Sequence, residues 1–229
     1  MLDCTRDRAE NRAMIDDAAL RSVEERLRAV ERRTGVQVVV ATVDRADVYH
    51  GLRWRAFAFG AAVSGAAVAL GGTLRPGWLP APVPFFAAAA VLGPALLCAL
   101  AATLSRSVAR LFLEPLRARA EARQRAAVIF LERELFATRE RTAVLLLACR
   151  FEREAVVLAD RGFRGRVSEE EWDTVAGAVT AQLRGGRVAE GLAAGLDALE
   201  RLLAGKGFAG GAGTRNELPD RPVAGAAAP

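Results

Sequence analysis

The chain has 229 residues and a formal net charge of +5, carried almost wholly by arginine because Lys206 is its only lysine. This length accommodates one compact domain with a membrane insert, or two small domains. No basic run is interleaved with aromatic residues, so we expect no nucleic-acid partner. The three cysteines show neither metal-ligand spacing nor a disulfide framework, which favours a reducing compartment.

The first part of the chain, residues 1–52, predicts a helix followed by a strand. Asp16 or Asp17 can cap the helix, apolar residues recur along it at helical spacing, and Gly35 can end it. The valine-rich run 36–43 that follows is typical of a strand. One helix and one strand do not make a stable core, so this part needs the rest of the chain.

Residues 53–106 are predicted to form a transmembrane helical hairpin. Its two spans, about 56–74 and 83–104, carry no charged residue. At about 1.5 Å per residue the first span would be about 28 Å long, close to the thickness of a bilayer core. The alternative is a helical hairpin buried in a soluble protein. Small residues in both spans would allow close packing: Gly60, Ser64, Gly65, Gly71 and Gly93.

The arginines around the hairpin predict its orientation. The connecting loop holds only Arg75, whereas several arginines flank the two outer ends: Arg45, Arg53, Arg55, Arg106, Arg110, Arg117 and Arg119. Under the positive-inside rule both termini face the cytoplasm. We therefore expect a two-span protein of the inner (cytoplasmic) membrane, with the lipid bilayer as its first partner.

Residues 107–204 are predicted to form the second part of the domain. Pro115 should separate the second span from a helix at 116–136. Strands are expected at 142–149 and 154–159, joined by a four-residue turn as an antiparallel hairpin. The side chains available for burial on the preceding helix are Leu116, Ala120, Ala127, Phe130 and Leu131.

Two further helices and a tail complete the chain. Ser168 and Glu171 fit a capping box at the start of the first helix, and Gly185-Gly186 breaks it. From residue 205 the composition predicts a disordered tail, 205–229. The apolar faces of the two helices are Trp172, Val175, Val179 and Leu183, then Leu192, Leu196, Leu199 and Leu203.

Together the two soluble parts predict an α/β fold, a small α/β/α sandwich interrupted by the transmembrane hairpin. Strand 36–43 would lie beside strand 142–149. If that pair is parallel, its crossover should be right-handed.

Two segments resemble the TPM domain. "FLERELFATRERTAVLLLACRFEREAVVLADRGFRGRVSEEEWDTV" (130–175) is similar to the second half of that domain, and "ERRTGVQVVVATV" (31–43) is similar to the first half. Two membrane spans between the halves resemble a bacterial, membrane-anchored branch of the family. The resemblance implies an α/β/α fold and frequent membrane association. Some relatives are proposed phosphatases and some bind calcium, while many have no assigned activity.

The predicted pairing gathers polar residues at one edge of the sheet. Asp160 and Glu140 are the candidate oxygen ligands for a divalent cation, calcium or magnesium. Alternatively, Asp160 forms a turn and pairs with Arg139 or Arg161. The other residues of this edge are Thr34, Gly35, Gln37, Arg141 and Gly162.

Neither reading completes a catalytic set, so catalytic residues stay unassigned. Ala155 occupies the position where a cysteine-phosphatase loop starting at Cys149 would need arginine, and no histidine cluster could hold two metals. We therefore expect a binding or accessory module on the cytoplasmic face with a membrane-protein partner. The alternative is a metal-dependent phosphatase-like hydrolase with its site near Asp160. The sequence does not indicate an oligomeric state.

Overall fold

The computed structural model describes residues 19, 21–46, 51–75, 77, 82–209 and 223–225. The predicted helix caps Asp16 and Asp17 lie outside the described residues. Contacts divide the chain into two compact units. One unit combines Met1–Asp47 with Ala118–Pro229, and the other is Val48–Arg117.

The first unit is built around a four-stranded sheet in the order β3-β2-β1-β4. Strand β1 (Gln37–Val43) runs parallel to β2 (Ala143–Cys149), with Gln37 opposite Ala143. Strand β3 (Glu154–Ala159) is antiparallel to β2. Both pairings confirm the predicted arrangement of the three long strands.

The predicted disorder of the tail 205–229 is wrong for its described residues. Strand β4 (Val223–Gly225) pairs in parallel with the end of β1. Just after the last helix, Lys206 makes an ion pair of 2.7 Å with Glu171, and the Phe208 ring lies 5.1 Å from the Phe163 ring. The composition of the tail did not reveal these contacts, because each depends on a partner distant in sequence.

Helices cover both faces of the sheet, which confirms the small α/β fold. On one face lie α1 (21–34), α6 (Glu169–Arg184) and α7 (Val188–Gly205). On the other face lies α5 (Pro115–Glu132), through its residues from Ala122 onward. Alternate residues of each strand serve the two cores, as the two-residue period of a strand requires. Val38 and Leu146 belong to the first core, and Val39 and Leu145 to the second.

The predicted buried face of α5 is largely wrong. Leu116 and Leu131 are exposed, and of the predicted set only Phe130 is buried. The buried residues of α5 are Ala118, Ala122, Ala126, Ile129 and Phe130, and those from Ala122 onward belong to the core against the sheet. Alanines four residues apart form a narrow stripe that lets the helix approach the strands closely. The helix ends at Glu132, before a short 3₁₀ turn at Leu135–Ala137.

Helices α6 and α7 follow the prediction. Ser168 and Glu171 form a capping box, with the Glu171 carboxylate accepting from the Ser168 N–H at 2.8 Å. Trp172 packs edge-on against Phe163 of the preceding 3₁₀ turn (Arg161–Phe163), with ring centroids 5.3 Å apart. Every predicted apolar residue of the two helices is buried.

The second unit is a helical hairpin of α2 (Gly51–Leu74) and α3 (Val83–Leu104), followed by the short α4 (Arg106–Leu111). The Ser64 hydroxyl donates to the Val91 carbonyl at 3.1 Å across the hairpin. A Cβ on Gly60 would lie 2.8 Å from the Ala95 Cα, whereas Gly65 and Gly93 have open space around them. The predicted packing is therefore correct for Gly60 and Ser64 and wrong for Gly65 and Gly93.

Candidate functional site

The predicted edge of the sheet exists, because the strand ends meet as expected. The N–H of Asp160, which follows β3, donates to the carbonyl of Ala143 at the start of β2 at 2.9 Å. Gln37, at the start of β1, lies opposite the same Ala143. Gln37 and Asp160 therefore occupy the same edge but sit on strands that are two positions apart. Adjacent strands are about 4.8 Å apart, so the backbones of Gln37 and Asp160 are separated by about 10 Å.

The residues between α1 and β1 have structural partners. The buried Thr34 hydroxyl donates to the Val30 carbonyl at 2.8 Å. Gly35 adopts a left-handed φ of 71°, which glycine favours, and thereby ends the helix. The Glu31 carboxylate accepts from the Val38 N–H at 2.9 Å, a buried contact that sequence analysis missed. Thr34 and Gly35 thus serve the connection from helix to strand.

Asp160 is nearly buried, with 9% of its side chain exposed. Its Oδ1 accepts from the Arg161 N–H at 2.7 Å, so it caps the following 3₁₀ turn. Its Oδ2 lies 3.9 Å from Nη1 of Arg141 and has no hydrogen-bond partner among the described residues. Arg141 is therefore an arginine partner of Asp160 that the sequence did not predict, and the predicted pairing with Arg139 or Arg161 stays a prediction.

Gly162 allows two pieces of backbone to meet at this edge. Its N–H donates to the Arg141 carbonyl at 3.0 Å. A Cβ at this position would lie 2.5 Å from the Arg141 oxygen and 2.9 Å from the Glu140 oxygen. A glycine is needed here because any side chain would overlap the carbonyl groups of the neighbouring loop.

A cation at this edge would lack a complete set of ligands among the described residues. They contain no group of three or more His, Cys, Asp or Glu side chains placed to hold a metal ion. Glu140 is exposed, and the positively charged Arg141 side chain lies near the carboxylate of Asp160. A guanidinium at 3.9 Å disfavours a second positive charge beside the same oxygen. The described geometry fits an Asp160–Arg141 pair, and the divalent cation stays a prediction.

A second candidate site, which the sequence did not reveal, is a groove of about 520 Å³ beside β3. Residues 154–157 of β3 form its floor. Arg119 and Arg123 of α5 line one wall, and α6 lines the other with residues that include Thr180 and Arg184. Since β3 ends the strand order, this floor is a sheet edge to which no further strand of the described residues is paired.

The hydrogen-bond pattern shows which backbone groups of β3 face the groove. In an antiparallel pair the residues bond to their partner strand alternately. Because the Asp160 N–H bonds to β2, the N–H and C=O groups of Ala155, Val157 and Ala159 point away from β2. The Ala155 N–H donates to the Thr180 hydroxyl at 3.1 Å, which agrees with this assignment. Beyond Ala155, the outward N–H and C=O of Val157 have no recorded partner within the described ranges.

Charged side chains stand at the rim of the groove. Arg119 lies 3.7 Å from the Glu154 carboxylate, and Arg123 lies 3.7 Å from that of Asp173. Both arginine side chains are more than half exposed, at 65% and 62%. Arg184 is exposed and forms no ion pair with another described residue. Three arginines and two carboxylates leave the lining with one excess positive charge.

The comparisons with known proteins identify the domain. Residues 96–202 match the family model of the TPM domain. This range includes the motif at 130–175 and leaves out the weaker segment at 31–43. No curated protein matches the chain.

A solved structure supports the fold over nearly the whole chain. It is the NMR structure of the BA42 protein from the psychrophilic bacterium Bizionia argentinensis, which is 15% identical and has a TM-score of 0.55. The alignment covers 91% of this chain and 93% of that one. At this identity the likeness establishes the fold alone.

Proposed function

We propose that the protein is a membrane-anchored TPM-domain protein that serves as a binding or accessory module on the cytoplasmic face. The observation that carries the proposal is the pair of long apolar helices, α2 with 24 residues and α3 with 22. At 1.5 Å per residue they are about 36 and 33 Å long, enough to cross a hydrocarbon core of about 30 Å.

The exposure of these helices supports an anchor over a buried hairpin. Only 11% of the most apolar stretch of each helix is buried within the protein. Large side chains such as Phe59, Leu70 and Leu97 are more than half exposed. A soluble monomer seldom exposes a continuous apolar surface of more than a few hundred Å². A bilayer would cover this surface, and the Ser64–Val91 hydrogen bond and the close approach at Gly60 would hold the two spans together.

The anchor is tested by fractionation and its orientation by labelling. The full-length protein should stay in the membrane pellet after extraction with alkaline carbonate. In intact cells, a membrane-impermeant maleimide should label Gly77→Cys in the loop between the helices. The matched variant Arg164→Cys, at an exposed position of the sheet unit, should be labelled only after lysis. Release by carbonate would refute the anchor, and the reverse labelling pattern would refute the orientation.

A metal-dependent phosphatase-like activity is the second candidate. The unpartnered Oδ2 of Asp160 favours it, because a buried carboxylate oxygen without a donor could accept an additional ligand. The nearby Arg141 opposes it. Calorimetric titration of calcium and magnesium into the wild type and Asp160→Asn decides the matter. Saturable binding that the variant loses would support the activity, and absence of binding in both proteins would remove it.

A further inference from the structure

We propose that the groove beside β3 is a docking site for an extended, acidic peptide segment of a partner protein, which adds a strand to the free edge of the sheet. The inference deepens the proposed binding role and does not depend on the membrane anchor. Exposed sheet edges bind extended peptides through main-chain hydrogen bonds, while neighbouring side chains provide specificity.

The backbone of β3 sets the position of the added strand. Thr180 already satisfies the Ala155 N–H, so the open edge starts at Val157 and continues to Ala159. A strand that pairs here would exchange hydrogen bonds with the N–H and C=O of Val157. Consecutive outward-facing residues are two positions apart, or about 6.6–6.8 Å along the strand. The added segment therefore needs only three or four residues to use the open edge.

The walls of the groove leave room for a main chain. On the α6 side the lining residues include Ala176, Gly177 and Ala181, which project little into the space. Large side chains at these positions would fill the strip beside β3. A strand can approach the edge because the helix turns its smallest residues toward it.

The charges of the rim select an acidic partner. The Arg119 side chain is 65% exposed and lies 3.7 Å from the carboxylate of Glu154, which is only 15% exposed. Arg184 has no ion pair among the described residues, and Arg123 makes loose, solvent-exposed pairs of 3.6 and 3.7 Å with Glu169 and Asp173. Exposed pairs of this kind contribute about 0–1 kcal/mol, so a carboxylate of a bound peptide can compete for these arginines. A basic peptide would bring like charge to the same three side chains.

Two variants of Val157 test the pairing. Val157→Pro removes the outward N–H and leaves the hydrogen bonds between β2 and β3, because Val156 and Leu158 provide those. The matched variant Val157→Thr keeps the N–H and the β-branched shape. Arg184→Glu, at an exposed position, tests the charge preference without touching the strand.

The first experiment pans a library of random twelve-residue peptides against the purified full-length protein in detergent, with many peptide copies on each particle so that weak contacts are retained. Selected peptides should contain Asp or Glu and should bind Val157→Pro at least tenfold more weakly, with unchanged affinity for Val157→Thr. Arg184→Glu should weaken binding several-fold. Hydrogen exchange should slow at the Val157 amide when the peptide binds, while Leu158 is protected with or without it.

Each result either supports or overturns the proposal. It is overturned if the library yields no binder, if the binders are basic, or if Val157→Pro binds them as tightly as the wild type. Should Val157→Pro not fold, the backbone nitrogens of the peptide are methylated instead. Every second N–H of a paired strand points toward β3, so methylation of that set should weaken binding and methylation of the other set should not. Carbonate extraction of the membranes from which the protein is purified reports separately on the membrane anchor, so failure of one proposal is distinguishable from failure of the other.

Discussion

Gly162→Ala is expected to destabilise the sheet unit because its methyl group would overlap backbone. The added Cβ would lie 2.5 Å from the Arg141 oxygen and 2.9 Å from the Glu140 oxygen. Ordinary C···O contacts start at about 3.3 Å, so the loop must retreat by about 0.8 Å. That movement also stretches the Gly162 N–H bond to Arg141, which is 3.0 Å long in the wild type.

The expected cost follows from these two contributions. Overpacking a tight site costs about 1–3 kcal/mol, and weakening one backbone hydrogen bond costs about 0.5–1.5 kcal/mol. We therefore expect the free energy of unfolding to fall by about 2–4 kcal/mol. At about 3 °C per kcal/mol for a domain of this size, the melting temperature should fall by about 6–12 °C.

The assay is thermal unfolding of the full-length protein in detergent, followed by circular dichroism, with Gly177→Ala as the matched control. Gly177 lies on the exposed side of α6, and a Cβ there meets nothing within 4 Å. Alanine is a better helix former than glycine by about 0.5–1 kcal/mol, so this control should raise the melting temperature slightly. An unchanged melting temperature for Gly162→Ala would refute the proposed close approach at the sheet edge.

Three further outcomes are expected. Burial raises the pKa of the Cys149 thiol, so peptide mapping should find this cysteine unmodified by iodoacetamide at pH 8 until the protein is denatured. The hydrogen bond from Lys206 lowers the pKa of Glu171 in the folded state. The stabilisation from this pair is therefore present above the unfolded pKa of Glu171 and is lost as pH falls through its folded pKa. Acidification should lower the urea midpoint of unfolding less in Lys206→Met than in the wild type. Gly60→Leu should lower the unfolding temperature of the hairpin, since a Cβ there meets backbone of the facing helix, whereas Gly65→Leu should leave it unchanged.

Local signals in the sequence predicted the strands and two helices well. Strand β3 was predicted with its observed bounds, and the capping box of Ser168 and Glu171 forms as expected. Both signals depend on neighbours a few residues away. The face of α5 failed for the opposite reason, because large residues such as Leu116 dominate its pattern while Ala122 and Ala126 make the contacts. Which alanines lie inside depends on how closely a sheet approaches, and that is a tertiary property.

The candidate sites divide in the same way. The edge at Asp160 was predictable, because strand directions fix which ends meet. The arginine partner of Asp160 was not predictable, because Arg141 reaches Asp160 from a left-handed backbone conformation with a φ of 55°. No pattern in the sequence predicted the groove. It requires β3 to be the last strand and Thr180, 25 residues away, to cover the Ala155 N–H.

The proposed membrane anchor and the proposed docking groove together imply that a site of low intrinsic affinity is sufficient. The open edge offers the N–H and C=O of Val157, and the rim offers arginines that are already loosely paired. Such contacts are consistent with weak binding, and a dissociation constant of 1 mM corresponds to about −4.1 kcal/mol. Confinement of two proteins by short tethers gives effective concentrations in the millimolar range. A partner held in the same membrane would therefore occupy the groove substantially, whereas a free acidic segment at micromolar concentration would not, and the anchor would thus decide which acidic segments are bound.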